Sequence, residues 1–338
     1  MKRLALSSAI FLLAACNQVE NRILYPELVF STREGVGLTA PRDLTVDRFG
    51  NVFVFDYDDY QILGFDSAGT LLADFGGWAL EDGDFQHLMA VEVFGDSLVA
   101  LDAGAVSVFD LDGQLRAKRS YADTIICDLP RIHPSGVWAG DWIVEETAEN
   151  ILTLRDPDGS ARARVAGYSL GELFPGVEPG GMFFINRTEA LSYHYDFLPD
   201  GRLVWAASDR LEVLVRDGGQ DAVLYSSPAT PIPYPAETIE AMLEEQANLG
   251  PPLFMNVPEQ YQLIQHLFVD ETGDPWVYIL SGERTGLLHL SEEGRELGFY
   301  QVEAEFDVPA ARVTAANGKL YFLVADRIET GVYVVDRP

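Results

Sequence analysis

The sequence predicts an all-β fold, a six-bladed β-propeller, and three observations carry that prediction. Residues 38–115 hold one phrase of four short apolar runs joined by tight turns, then a near repeat of it. A glycine in the first turn of the phrase recurs as Gly50, Gly95, Gly136, Gly201, Gly273 and Gly318, at intervals of 45, 41, 65, 72 and 45 residues. One four-stranded blade takes ~40–45 residues, so six copies fit and the two long intervals contain insertions. The third observation concerns the ends. The sixth copy stops at Pro338 without an outer strand, and an orphan apolar run, Glu27 to Gly35, stands near the N-terminus. If that run completes the last blade, the ring closes and two sheet edges are hidden. A seven-bladed ring, with a degenerate blade inside one of the long intervals, is the competing arrangement.

The chain opens with the basic Met1-Lys2-Arg3. Leu4 to Leu13 is apolar apart from Ser7 and Ser8, and Leu13-Ala14-Ala15-Cys16 follows. The apolar run is too short for a permanent membrane helix and has the form of a secretory signal. Its ending resembles the bacterial lipoprotein box, in which a cysteine after small residues is lipidated and becomes the new N-terminus. That resemblance implies a signal peptide over residues 1–15, lipidation of Cys16, a lipid-anchored tether over 16–26 and the propeller over 27–338. An ordinary signal peptide with an incidental cysteine is the plainer alternative. Several acyl chains on Cys16 would make the membrane anchoring stable. Asn17 is not the aspartate linked with inner-membrane retention in lipoproteins, which points to the outer membrane of a bacterial cell envelope. Cleavage would remove two basic residues and leave a charge of 21 − 53 = −32. Cys127 then has no intramolecular partner and reads as a small buried hydrophobe rather than a reactive thiol.

Each anchor glycine is followed by an apolar second strand: Val52–Phe55, Leu98–Leu101, Val137-Trp138, Leu203–Ala206, Trp276–Leu280 and Leu320–Val324. A third strand ends in a polar turn such as Asp66-Ser67-Ala68-Gly69 or Asp156-Pro157-Asp158-Gly159. Aspartate bonds its own backbone in such turns and glycine supplies positive φ. These runs lack the twelve-residue ligand spacing of a calcium loop, so they read as hairpin turns.

The two long intervals differ in character. Residues 166–189 are rich in Gly and Pro, carry Leu173, Phe174, Met182, Phe183 and Phe184, and read as a structured loop on one face. Residues 228–260 hold a helix. Ile239, Met242 and Leu243 keep helical spacing, Ala236, Gln246 and Leu249 extend it, and Gly250-Pro251 stops it. The expectation is an amphipathic helix laid on the propeller with its acidic side to solvent. It serves either as packing or as a gate over a ligand site.

Ala40-Pro41, Val46-Asp47, Gly50-Asn51-Val52 and Val54-Phe55-Asp56, with the linker 75–85, resemble the NHL repeat of six-bladed propellers. Taken with the lipoprotein box, the chain resembles the bacterial six-bladed β-propeller lipoproteins, a group whose members mostly lack an assigned activity.

With 53 acidic and 23 basic residues, the formal charge is −30. That excludes a nucleic-acid partner, which needs a basic surface. No nucleophile elbow, phosphate loop, dinucleotide fingerprint or His-Glu-x-x-His is present. A propeller places its site at a mouth of the central channel, lined by the innermost strands. Counting back seven or eight residues from each anchor glycine gives Asp43, His87, Asp128, His194 and His266, a candidate channel-mouth site for a ligand or a metal. His133 and His289 fall elsewhere and read as structural. Converging histidines would hold a divalent metal, zinc or calcium, with an open position. The resemblance to peptidyl-hydroxyglycine amidating lyases, whose channel metal is held by histidines from several blades, implies the same. Polar residues lining a water-filled channel without metal are the alternative. The Glu-Asn-Asn-Asp calcium set of gluconolactonase-type propellers finds no counterpart in the repeat alignment.

Two functions follow as expectations. The first is a monomeric, membrane-anchored binding or scaffold module for a protein, peptide or glycan partner, with a broad aromatic or acidic face. The second is a metal-dependent lyase or hydrolase at the channel mouth.

Overall fold

Apolar runs with a two-residue period, cut by Asp-Gly turns, pair with their sequence neighbours as antiparallel strands. In the computed structural model they form six blades: residues 41–76, 88–120, 128–169, 193–226, 264–302, and 312–336 with 27–31. Described are residues 22–31, 37–78, 83–122, 124–144, 146–170, 179, 184–185, 192–249, 253–254, 259–308, 311–325 and 330–338. The expected signal peptide, Cys16, and Leu173, Phe174, Met182 and Phe183 of the first insertion lie outside them. The ring has six blades, not seven.

Within blades 1 to 5 the strands run in chain order from channel to rim, and in blade 6 the last three strands do so with the N-terminal strand outside them. The apolar residues form six buried clusters, one between each pair of neighbouring blades. The core is therefore a ring of seams, not one centre. Cys127 is buried in the seam between blades 2 and 3, with its Sγ 3.8 Å from Met89 Sδ.

The last blade closes as expected. Strand β2 (Glu27–Ser31) pairs antiparallel with the C-terminal strand Thr330–Asp336. Its Phe30 is buried, 4.3 Å from the Phe65 ring of blade 1, so the closing strand also fills the next seam. One strand was not foreseen. β1 (Arg22–Leu24), within the stretch read as tether, lies parallel to Glu296–Val302 at the outer edge of blade 5.

The Asp-Gly runs are hairpin turns: Asp66 Oδ1 accepts from the Ala68 and Thr70 amides at 2.9 and 2.8 Å. At Gly294 (φ +81) a Cβ would lie 1.9 Å from the Leu224 carbonyl oxygen, because this blade 5 turn presses on the outer strand of blade 4.

All inner strands begin at one face and end at the other. The first face also carries the inter-blade links, hence both insertions; the second carries the anchor-glycine turns. The outer strand of blade 3 runs to Ser169, so the first insertion starts later than residue 166. Helix α1 spans Ala236–Leu249, as its period predicts. Phe184–Ile185 pairs in parallel with Leu253–Phe254, which joins the two insertions across the face. The helix is less buried than expected. Ile239 and Met242 are half-buried and Leu243 is 50% exposed. It rests beside the short strand Leu253–Phe254, outside the blade seams.

Candidate functional site

Alternate residues of each inner strand point into the channel. They build two polar rings. The upper one holds Asp43, His194, His266 and Arg312; the lower one holds Thr45, Glu92, Arg131 and Asp196. Thr45, Glu92, Arg131 and Asp196 also line a cavity of about 400 Å³ that opens on the turn face.

Arg131 ties the two rings together, and Arg312 ties members of the upper one. Arg131 Nη1 donates to Asp43 Oδ2 at 3.0 Å and to Glu92 Oε1 at 3.2 Å. Arg312 Nε donates to Asp43 Oδ1 at 3.2 Å. Both Asp43 oxygens are thus held by guanidinium groups, and Asp43 is fully buried. His266 Nε2 lies 2.6 Å from the Val313 carbonyl, which only accepts, so Nε2 carries the proton. Its Nδ1 then accepts from Arg312 Nη1 at 3.3 Å. Asp196 accepts from the Val269 and Phe197 amides, both at 2.8 Å.

Burial dominates the electrostatics. It raises Glu92 to about 8, with Arg131 pulling the other way. It raises Asp196 as well, against the same arginine. It lowers His194 to about 4 and His266 well below the ordinary histidine range, each helped by the nearby Arg312 cation. Both histidines are therefore neutral. Among the described residues, buried His194 Nε2 has no hydrogen-bond partner.

The structure brings Asp43, His194 and His266 into one channel, with Arg312 bridging Asp43 and His266. His87 is elsewhere. It stands just before the inner strand of blade 2, Leu88–Phe94, on the insertion face. There its ring meets Tyr57 edge-on at 5.6 Å and its Nδ1 is 3.4 Å from Tyr60 Oη. The Asp128 backbone pairs with Asp141 at the start of the blade 3 inner strand. His133 is held in its turn, with Nδ1 2.8 Å from Ser135 Oγ and Nε2 3.3 Å from the Pro199 carbonyl.

Counting from the glycines went astray because the first turns differ in length. Five residues separate the paired strands in blades 1, 3, 4 and 5, but only two in blades 2 and 6. That shift moves His87 off the ring and hides Arg312. Arg131 stands 136 − 131 = 5 residues before its anchor glycine, as Thr45 stands before Gly50, so ordinary alternation turns it inward; the bulge between Asp128 and Arg131 lies ahead of it. Glu92 and Asp196 were findable by parity, Asp196 lying two residues beyond His194.

These residues do not fit a metal at the channel centre. Both nitrogens of His266 are engaged, both oxygens of Asp43 are paired with arginine, and two guanidinium groups already hold the positive charge. Among the described residues, the converging His/Asp donors are Asp270, Asp274 and His289 of blade 5, whose ligand atoms lie within 4.8 Å of one another. A cation already serves that cluster, since Arg337 Nη1 is 2.6 Å from Asp270 Oδ2. His289 stacks on Trp276 at 3.9 Å.

The insertion face has its own cluster. Tyr57, Tyr60 and His87 pack together, the Arg42 guanidinium lies 4.3 Å above the Tyr57 ring, and Trp78 is 78% exposed. Asp58 and Asp59 are exposed between the two tyrosines.

The fold and channel define the protein as a six-bladed β-propeller. No protein-family model matches the chain, and no curated protein matches it in sequence. Solved structures do. A candidate exported protein of Bacteroides fragilis superposes with a TM-score of 0.53 at 10% identity, over 93% of this chain and 94% of that one. A gluconolactonase of Xanthomonas campestris (TM-score 0.48, 15% identity, 93% and 95% covered) and a calcium-binding regucalcin of Agrobacterium tumefaciens (0.48, 12%, 94% and 97%) are also similar. At these identities the likeness is one of fold alone. No helix among the described residues is long and apolar enough to cross a membrane.

Proposed function

We propose that this protein is a propeller of the bacterial cell envelope, anchored at the outer membrane through lipidated Cys16, that binds a protein, peptide or glycan partner. The observation that carries the reading is the channel centre, where Arg131 and Arg312 clamp Asp43 and leave no open ligand set. A metal-dependent lyase or hydrolase would need there the very groups that this chain has already bonded to one another. The insertion face supports a binding role. Aromatic rings beside exposed carboxylates offer flat apolar contact and hydrogen-bond acceptors together, which suits sugar rings and basic peptide side chains alike.

Elemental analysis of protein purified without chelator tests the proposal. The expected result is no stoichiometric divalent metal. About one equivalent that disappears in His266→Ala would establish the enzyme reading instead. Metal lost in His289→Ala but kept in His266→Ala would assign it to the blade 5 turn and leave the channel argument standing.

A further inference from the structure

Among the described residues, the large exposed apolar side chains are unevenly placed. Ile23 and Tyr25 lie on and just after β1, Leu28 on β2, Leu71 and Leu72 on the outer strand of blade 1, and Leu297 on the outer strand of blade 5. All six are more than two-fifths exposed. They occupy the outer edges of three successive blades, 5, 6 and 1, and leave the opposite side of the ring with fewer. The turn before Leu71 is in direct reach of β2, since a Cβ on Gly69 would lie 2.7 Å from that of Phe30. The patch is therefore continuous around the closing strand. Contiguous exposed apolar surface of this kind marks a surface that something covers.

The chain length says what. Arg22 is fixed by its pairing with Tyr300. From Cys16 to Arg22 is 22 − 16 = 6 residue steps, which reach at most about 22 Å in any conformation. Leu297 precedes Tyr300 and so lies on the Arg22 side of that pairing. An acylated Cys16 thus holds this rim, and not the far side of the propeller, against the lipid.

We infer that the rim formed by Ile23, Tyr25, Leu28, Leu71, Leu72 and Leu297 lies on the bilayer surface, so that the propeller sits edge-down with its channel roughly along the membrane plane. The inference rests on the lipidation of Cys16. It makes the protein a positioned module rather than one swinging on a long leash. Both faces, the one with the insertions and the one with the cavity, stay open to partners.

The test uses the full chain, expressed with its signal, purified from membranes and reconstituted in vesicles of phosphatidylethanolamine and phosphatidylglycerol. Leu28→Cys and Leu72→Cys are labelled with a water-soluble maleimide. Val223→Cys, on the exposed outer strand of blade 4, is the control. Cys127 is buried and contributes the same small background to all three. The expected result is labelling of Leu28→Cys and Leu72→Cys slowed on the order of tenfold in vesicles relative to detergent, because the thiols are sunk among headgroups, with Val223→Cys unchanged. Equal rates at all three sites in chains that mass spectrometry shows to be acylated would overturn the orientation alone. Chains without acyl groups would overturn the anchoring and the orientation with it. Protection that persists in detergent and grows with protein concentration would give the rim to a second copy of the chain, and would also overturn it.

Discussion

Replacing Glu92 by Gln should flatten the loss of stability that the wild type shows as pH rises. Glu92 lies on the floor of the turn-face cavity, with Oε1 3.2 Å from Arg131 and Oε2 3.5 Å from Thr45 Oγ1. Burial raises it from 4.5 to about 8. In the unfolded chain the proton leaves near 4.5. In the folded chain it stays until about 8, so the folded state binds the extra proton across that window and each step up in pH weakens the fold. The contribution is complete below 4.5 and gone above 8. At ~1.4 kcal/mol per pH unit the window corresponds to a ceiling of ~5 kcal/mol. The side chain is 22% exposed to the cavity, and solvent screening there brings the expected effect down to ~2 kcal/mol. The Gln variant keeps the shape and has no proton to lose. Thermal unfolding followed by circular dichroism at pH 5 and pH 8.5 reads the difference. The variant should gain about 4 °C on the wild type between the two conditions. Parallel slopes for the two proteins would show that Glu92 is already ionised and paired with Arg131 in the fold, and the argument from burial would fail. Asp196, shifted in the same direction, leaves a residual slope in both.

Arg312→Met should destabilise by about 2–4 kcal/mol in guanidinium unfolding, because Asp43 loses one of its two buried cations; adding Asp43→Asn should recover part of that loss, and strict additivity would refute the clamp. Phe30→Ala should cost about 3–4 kcal/mol by the same measurement, since it opens a cavity in the seam where the ring closes; a cost below ~1 kcal/mol would mean that the closing strand contributes little. Gly294→Ala forces a Cβ against the Leu224 carbonyl at a positive φ and should lower the midpoint by more than the ~1 kcal/mol of an ordinary Gly→Ala strain, whereas Gly95→Ala, with open space around it, should show only the backbone cost.

The sequence shows some of these features plainly and conceals others. The blade number, the closing strand and helix α1 rest on local signals: a recurring glycine, a two-residue apolar period, a 3.6-residue period ended by Gly250-Pro251. Such signals survive any arrangement in space. The channel ring does not rest on a local signal. Whether His87 or Ala90 faces the axis depends on whether the turn at Gly95 has two residues or five, and nothing near His87 reports that. Arg131, by contrast, keeps the spacing that Thr45 and Asp196 have from their anchor glycines, so alternation along the strand was enough to place it. The parallel strand Arg22–Leu24 was hidden for another reason. Three residues are too short for a period, and the edge they cover is 300 − 22 = 278 positions away in sequence. The joining of the two insertions through Phe184–Ile185 and Leu253–Phe254 is concealed in the same way.

The closing strand has a consequence for the order in which the protein is made. Glu27–Ser31 is made long before its partner Thr330–Asp336. During the whole of synthesis the first-made strand has no mate, and blade 1 has one unfilled flank where Phe30 belongs. Blades 1 to 5 can pair internally as they emerge, each with its own hairpins, but the ring cannot lock until Thr330–Asp336 has been made. An open ring exposes a strand edge and an apolar flank, the features that invite aggregation and proteolysis. A chain broken off anywhere before residue 330 is thus marked as unfinished by its own geometry. In the intact chain, a pull on the N-terminus bears first on the three-residue pairing of Arg22–Leu24 and only then on the strand that keeps the circle shut.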